Sequence, residues 1–118
     1  MAQVRYENVD TAMLEVMPEL RVAYDVELAT WADEQPGMYN IYDNVLVPYL
    51  IRLLEVGTDI DALERIFSLI ETLVAQEDVR VRDLVGISVL EYLISKEAWL
   101  TSAQRYMGAH TRQMIKAM

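Results

Sequence analysis

The chain of 118 residues is long enough for one domain with one core, and its 53% apolar content with only four glycines and three prolines disfavours disorder. The absence of cysteine excludes disulfides, thiolate nucleophiles and cysteine-based metal sites, and the single histidine, His110, excludes a histidine-rich metal cage. Nineteen acidic against ten basic residues give a formal charge of −9, so most of the surface is expected to repel nucleic acid and to attract basic partners.

The first third of the chain predicts two helices that meet at a proline. Asp10 is a suitable N-cap for a helical turn over residues 11–17, and Pro18 either kinks that helix or opens a second one. From Pro18 to about Asp33 the apolar residues recur at helical spacing, which predicts an amphipathic helix. The first ten residues contain Arg5, Glu7 and Asp10 and no apolar run, so a secretory signal is not expected. No uncharged stretch of the sequence exceeds about eight residues, far short of the roughly 18–20 that a membrane span needs. The expected compartment is the cytoplasm.

Residues 34–43 form the longest predicted irregular segment. A Pro-Gly dipeptide interrupts the helical pattern there, and Tyr39 and Tyr42 lie among few charges. Tyrosines are over-represented at binding hot spots, and they also commonly pack over small cores. Both an interface role and a packing role are therefore open for these two rings.

Five further helices follow, and most are bounded by a capping residue or a glycine. Connections of two to four residues between helices three and six imply antiparallel neighbours, as in a bundle or in stacked helical hairpins. No alternating strand run is flanked by turn residues. The sequence predicts an all-α, single-domain bundle of about six to seven helices over residues 1–118. The predicted helices are 44–56 before Gly57, a fourth capped by Thr58 or Asp59, 79–94 after Asp78 as the central helix, one capped by Ser95 through Tyr106 or Met107, and 111–118. The predicted core includes Leu63, Phe67, Ile70, Leu84, Leu90 and Leu93.

Charge is distributed unevenly along the chain, with balances of −7, −5 and +3 over residues 1–44, 45–95 and 96–118. Two interpretations of this distribution are open. Either the basic last helices pack against the acidic body, or the acidic body presents a face shaped for a basic partner. We expect Glu71 to form an ion pair with Arg80 or Arg82. We expect His110 to be a solvated or capping residue.

The motifs that carry common chemistry do not occur in the sequence. It contains no Gly-rich phosphate loop, nucleophile elbow, HExxH motif, EF-hand loop or CxxC. The clustered carboxylates of Asp59, Asp61 and Glu64 lie at a predicted helix start, where capping and the helix dipole explain them better than a metal or acid/base site. The sequence therefore assigns no catalytic, cofactor-binding or metal-binding residue, and an enzyme is not expected.

Two patterns in the sequence resemble known helical proteins. The run Glu77-Asp-Val-Arg-Val-Arg-Asp-Leu-Val-Gly-Ile-Ser-Val-Leu-Glu-Tyr-Leu93 resembles the start of the second helix of a HEAT-type repeat, in which an acidic turn precedes Val-Arg and then a small, apolar face. The wider pattern is similar to the small helical immunity proteins that bacteria pair with secreted polymorphic or contact-dependent growth-inhibition toxins. Its matching elements, within residues 10–110, are Pro18-Glu-Leu20, Leu63-Glu-Arg-Ile-Phe67, Ile70-Glu71, the Val81-Arg82 helix, Val89-Leu-Glu-Tyr-Leu93 and Tyr106-Met-Gly108.

The resemblance implies a cytoplasmic antitoxin that binds the C-terminal domain of a cognate toxin, often a nuclease, and occludes its basic active-site cleft. It carries over no catalytic residue and no contact residue. The alternative is an acidic helical adaptor or regulatory subunit, with a homodimer left open, and neither alternative involves direct nucleic acid or membrane binding. The predicted irregular segment lies in the most acidic part of the chain and contains aromatic side chains, which favours it as the partner-binding surface. The candidate partner-binding residues are Asp33, Glu34, Tyr39, Tyr42 and Asp43, together with Asp59 and Asp61.

Overall fold

The computed structural model describes residues 3–31 and 34–118. This part of the chain forms seven helices and contains no strand. The prediction of an all-α bundle of six to seven helices is therefore confirmed. Short 3-10 turns over Tyr6–Asn8 and Pro18–Leu20 precede the first two helices. The helices are α1 (Val9–Val16), α2 (Arg21–Thr30), α3 (residues 38–56), α4 (Ile60–Val74), α5 (residues 79–94), α6 (Glu97–Gln104) and α7 (Ala109–Ala117).

Local sequence signals explain the ends of α3, α4 and α5. Gly57 ends α3 in the left-handed region, with φ of 75°, and its N–H donates to the carbonyl of Leu53 at 2.8 Å. Glycine is favoured there because it has no Cβ to clash. The Asp59 carboxylate accepts from Ala62 N at 3.1 Å, and Asp78 accepts from Arg80 N at 3.0 Å. The predicted acidic caps of α4 and α5 are therefore confirmed.

Two other predicted caps are wrong. Asp10 lies inside α1, and Asn8 occupies the position before that helix. Lys96 rather than Ser95 precedes α6, and the Ser95 hydroxyl donates back to the carbonyl of Tyr92 at 2.6 Å. A serine side chain can bond the preceding turn as easily as the following one, so its identity alone did not decide between the two.

The core lies where α3, α4 and α5 contact one another. Helix α1 packs against α3 and α4, α6 packs against α3 and α5, and α7 packs against α4 and α5. Each of the predicted core residues is at most 1% exposed, which confirms that prediction: Leu63, Phe67, Ile70, Leu84, Leu90 and Leu93. The stripe on α4 is wholly buried because six apolar residues recur at helical spacing along one face.

Helices α3 and α5 each contain a π-helical turn, at Tyr42–Leu46 and at Val85–Leu90, and the two turns pack against each other. In α3 the turn lies just before Pro48, which lacks an N–H and whose ring displaces the carbonyl four residues earlier. Helix α3 begins at Met38, six residues before the predicted start. Pro48 therefore lies in the interior of the helix, whereas the predicted start at residue 44 would have placed it near the first turn.

Helix α2 is the least buried element of the bundle. None of its residues is buried, and Val22 and Val26, four residues apart, are 75% and 61% exposed. The N-terminal segment is tied to the turn before α5, because Val4 N donates to Gln76 Oε1 at 3.0 Å and Tyr6 N donates to Asp78 Oδ2 at 3.1 Å. Within residues 3–31 and 34–118, no helix has the length and apolar character needed to cross a membrane.

Candidate partner-binding surfaces

The segment predicted to be an irregular binding loop is helical from Met38 onwards, which corrects that prediction. Tyr42 is completely buried, and its hydroxyl donates to the carbonyl of Val9 at 2.8 Å. Burial, and secondarily the charge of Asp10, raises the pKa of the Tyr42 phenol. Tyr42 therefore joins α3 to α1 inside the core and cannot contact a partner of the folded protein.

Tyr39, one turn before Tyr42, lies at the surface. Its ring is half-buried, and its centroid is 6.4 Å from that of Tyr6, with the rings tilted by 46°. Partial burial raises the pKa of Tyr39, and Tyr6 and the negative charge of Asp83 raise it further. Two tyrosine rings therefore lie side by side where the N-terminal segment meets α3 and α5.

Carboxylates surround this pair of rings. The guanidinium of Arg80 lies 5.3 Å from the centre of the Tyr6 ring and bonds to Glu7 Oε1 and Asp78 Oδ2, both at 2.9 Å. Hydrogen bonds from Arg80 hold the pKa of Asp78 at about 2 and also lower the pKa of Glu7. Among the charged groups of this region, Glu7 and Asp78 thus pair with the Arg80 guanidinium, and the negative charge of Asp83 acts on the Tyr39 phenol. We call this region the Tyr6–Tyr39 surface, and its residues are Tyr6, Glu7, Tyr39, Asp78, Arg80 and Asp83.

The other acidic candidates from the N-terminal half are less informative. Glu34 and Asp43 are exposed, as a partner-binding role requires. Asp33 lies outside the described residues. Asp43 belongs to α3, one turn after Tyr39, and forms no ion pair within the described part of the chain.

Asp59 and Asp61 are exposed but take part in contacts at the other end of α3. Asp59 caps α4, and Asp61 Oδ2 accepts from Arg65 Nε at 2.9 Å. Arg65 also pairs with Glu19 at 2.9 Å, and this contact holds the pKa of Glu19 at about 2. Asp43 and the end of α3 are 13 residues apart, or about 20 Å along the helix. The predicted residues therefore divide between two separate places and do not form one surface.

A groove runs along α4 on a different part of the molecule. It has a volume of about 600 Å³ and lies between one face of α4 and the turn that joins α6 to α7. The Tyr106 ring forms its apolar floor and stacks on the buried Phe67 ring, with centroids 5.9 Å apart and planes inclined by 20°. The residues that line it are Ile60, Glu64, Phe67, Ser68, Glu71 and Thr72 of α4, and Arg105, Tyr106 and Gly108 opposite.

Glu71 closes one end of this groove by holding the first turn of α7. Its two carboxylate oxygens accept from the backbone N–H groups of His110 and Thr111 at 3.0 and 2.9 Å, from His110 Nδ1 at 2.7 Å and from Thr111 Oγ1 at 2.8 Å. Desolvation tends to raise the pKa of Glu71, but these hydrogen bonds outweigh it and bring the pKa to about 2. The expected ion pair of Glu71 with Arg80 or Arg82 is therefore wrong.

Gly108 permits this contact, because a Cβ there would overlap the Glu71 carboxyl group. In the sequence Gly108 follows the predicted end of a helix at Tyr106 or Met107, and nothing there signals its approach to α4. Tyr6 and Arg105 were also missed. Both reach their sites through contacts between residues far apart in the chain, which helical periodicity does not report.

The comparisons with known proteins concern the whole domain. No curated protein and no solved structure matches the chain. A family model described as "Domain of unknown function (DUF7674)" matches residues 11–118, which includes all seven helices except the first two residues of α1. The chain therefore belongs to this family.

Proposed function

We propose that this protein is a binding module for a basic protein partner, and that it acts in the cytoplasm as the immunity partner of a toxin domain, a nuclease in the first instance. The observation that supports this best is the Tyr6–Tyr39 surface, where two adjacent rings lie among carboxylates. Buried aromatic anchors with a charged rim are typical of protein-binding hot spots. The resemblance to helical immunity proteins supports the toxin as the partner.

The electrostatic part of the proposal follows from what nucleases must bind. A nuclease cleft carries basic side chains for phosphates, and carboxylates placed against those side chains compete for them. The formal charge of −9 speeds the encounter with such a cleft, and the rings then slow dissociation. The module itself performs no catalysis in this scheme.

The test uses the polypeptide encoded beside this protein's gene, expressed as its C-terminal domain and titrated against the module. Tyr39→Ala should weaken binding about thirtyfold, the equivalent of roughly 2 kcal/mol for a central anchor. Tyr92→Ala is the matched control, since Tyr92 is 51% exposed and stacks on Trp99 away from the Tyr6–Tyr39 surface. Melting temperatures of both variants separate lost contacts from lost folding.

Salt provides an independent readout. Raising the ionic strength from low to physiological should slow association far more than it speeds dissociation. Failure of the neighbouring polypeptide to bind, or equal binding by the wild type and the Tyr39→Ala variant, would refute the proposal. A homodimeric adaptor is the second candidate, favoured by the exposed Val22 and Val26 of α2. Sedimentation as a monomer at high concentration would eliminate it.

A further inference from the structure

We propose that the groove along α4 is a second binding site, and that it takes an extended peptide segment in which a basic side chain neighbours an apolar one. The groove shares no residue with the Tyr6–Tyr39 surface, so the proposal does not depend on the identity of the toxin. Three features of the groove support it: its length, its apolar floor and the charge of Glu64.

The length of the groove fits a strand of peptide. From α4 it is lined by residues 60, 64, 67, 68, 71 and 72, a single helix face. Those 12 residue steps span about 18 Å at 1.5 Å each, which matches about five residues of extended chain at roughly 3.3 Å each. A volume of about 600 Å³ lies within the range of known ligand sites, roughly 300 to 1,000 Å³.

The floor of the groove suits an apolar side chain and is already formed. The half-buried ring of Tyr106 stacks on Phe67, which is buried beneath it, and Ile60 is 45% exposed, so Tyr106 and Ile60 supply the apolar surface that a ligand can reach. Glu71 fixes the opposite wall through its four hydrogen bonds to α7. A site that needs no rearrangement loses less free energy to ordering when it binds.

The charges of the groove select the neighbouring residue. Glu71 is occupied by α7, whereas the exposed carboxylate of Glu64 forms no ion pair within residues 3–31 and 34–118. Glu64 therefore attracts a lysine or arginine whose aliphatic stem lies along the rings. Arg105, on the opposite wall with its guanidinium 5.8 Å from the centre of Tyr106, can donate to the peptide carbonyls. A nucleic acid is disfavoured because Arg105 is the one cationic side chain among the groove's lining residues.

The experiment is an amide-shift NMR titration of the full chain with three blocked pentapeptides: Ala-Leu-Lys-Leu-Ala, Ala-Leu-Ser-Leu-Ala and Ala-Leu-Glu-Leu-Ala. The lysine peptide should give saturable shifts along residues 60–72 and 105–108 and should bind more tightly than the serine peptide. Glu64→Gln should weaken the lysine peptide about fivefold and leave the serine peptide unchanged. Arg105→Gln should weaken both peptides to a similar extent.

Glu91→Gln is the control, because Glu91 is an exposed carboxylate on α5 outside the groove and should leave both affinities unchanged. Tyr39→Ala should also have no effect, which keeps this test separate from that of the proposed function. The proposal is overturned if the shifts do not saturate or lie outside the groove. Equal binding of the glutamate and lysine peptides, or an unchanged lysine affinity in Glu64→Gln, also overturns it.

Discussion

Replacing Glu71 by alanine removes the carboxylate that joins α4 to α7. This carboxylate accepts hydrogen bonds from the backbone N–H groups of His110 and Thr111. Both groups belong to the first turn of α7 and have no partner within that helix. The carboxylate also lies at the positive end of the helix dipole. The variant therefore loses a helix cap, a charge interaction and a tertiary contact in one change.

The pKa of Glu71 gives the magnitude of this contribution. Its fall from 4.5 to about 2 corresponds to at most about 3 kcal/mol of preferential interaction with the charged form. Because the side chain is 27% exposed, solvent reduces this value, and we expect a loss of about 2 kcal/mol. For 118 residues, that loss lowers the melting temperature by about 8 °C.

The pH dependence has a definite sign. The pKa of Glu71 is lower in the folded protein than in the unfolded chain, so its stabilisation is complete above the unfolded value of 4.5 and is lost as the pH falls towards 2. The difference in unfolding free energy between the wild type and Glu71→Gln should therefore narrow over that range. Urea unfolding at pH 7, 4 and 3 measures it.

Glu64→Ala is the matched control, since Glu64 lies two turns earlier on α4 and is exposed. It should change the melting temperature by less than about 2 °C, as expected for a surface substitution within about 0.5 kcal/mol. If the Glu71→Ala and Glu64→Ala variants have the same melting temperature, the hydrogen bonds of Glu71 to α7 do not stabilise the fold. A Glu71→Gln difference that stays constant down to pH 3 would contradict the pKa argument.

Four further predictions concern stability, each read from urea or thermal unfolding. Gly108→Ala should destabilise the wild type by about 1–3 kcal/mol but cost clearly less in the Glu71→Ala background, because the new methyl group overlaps the Glu71 carboxyl group. Tyr42→Phe should cost about 1 kcal/mol, since it removes the buried hydrogen bond from the Tyr42 hydroxyl to the carbonyl of Val9. Ser88→Ala should be neutral or stabilising by up to about 1 kcal/mol, because the Ser88 hydroxyl is buried and has no hydrogen-bond partner in the described part of the chain. Phe67→Ala should cost about 3–5 kcal/mol through the cavity it leaves.

Each of these predictions has a contrary result. Equal costs of Gly108→Ala in both backgrounds would mean that the overlap with Glu71 is not the cause. If Tyr42→Phe has the stability of the wild type, the hydrogen bond between Tyr42 and Val9 contributes little to folding. If Ser88→Ala is less stable than the wild type, the Ser88 hydroxyl has a hydrogen-bond partner. An unchanged melting temperature for Phe67→Ala would contradict the assignment of the core.

Helix positions and core residues could be predicted because both depend on short spacings. The stripe on α4, the glycine that ends α3 and the acidic cap of α5 each depend on residues within about one helical turn of each other. The start of α3 was missed for a related reason. Pro36 and Gly37 interrupt the helical pattern, but the pattern does not report that the next helix begins directly after them, nor that Tyr42 in that helix bonds to Val9, 33 residues away.

The sequence by itself determined that this is an acidic, all-α domain without cysteine chemistry and with a core centred on α4 and α5. Only the tertiary structure decided that Tyr39 reaches the surface and Tyr42 does not, which acids are already paired and where a groove opens. Glu71 meets His110 across 39 residues and Arg80 meets Glu7 across 73. Such contacts leave no periodic trace in the sequence, because they depend on how whole helices pack and not on the propensity of any one segment.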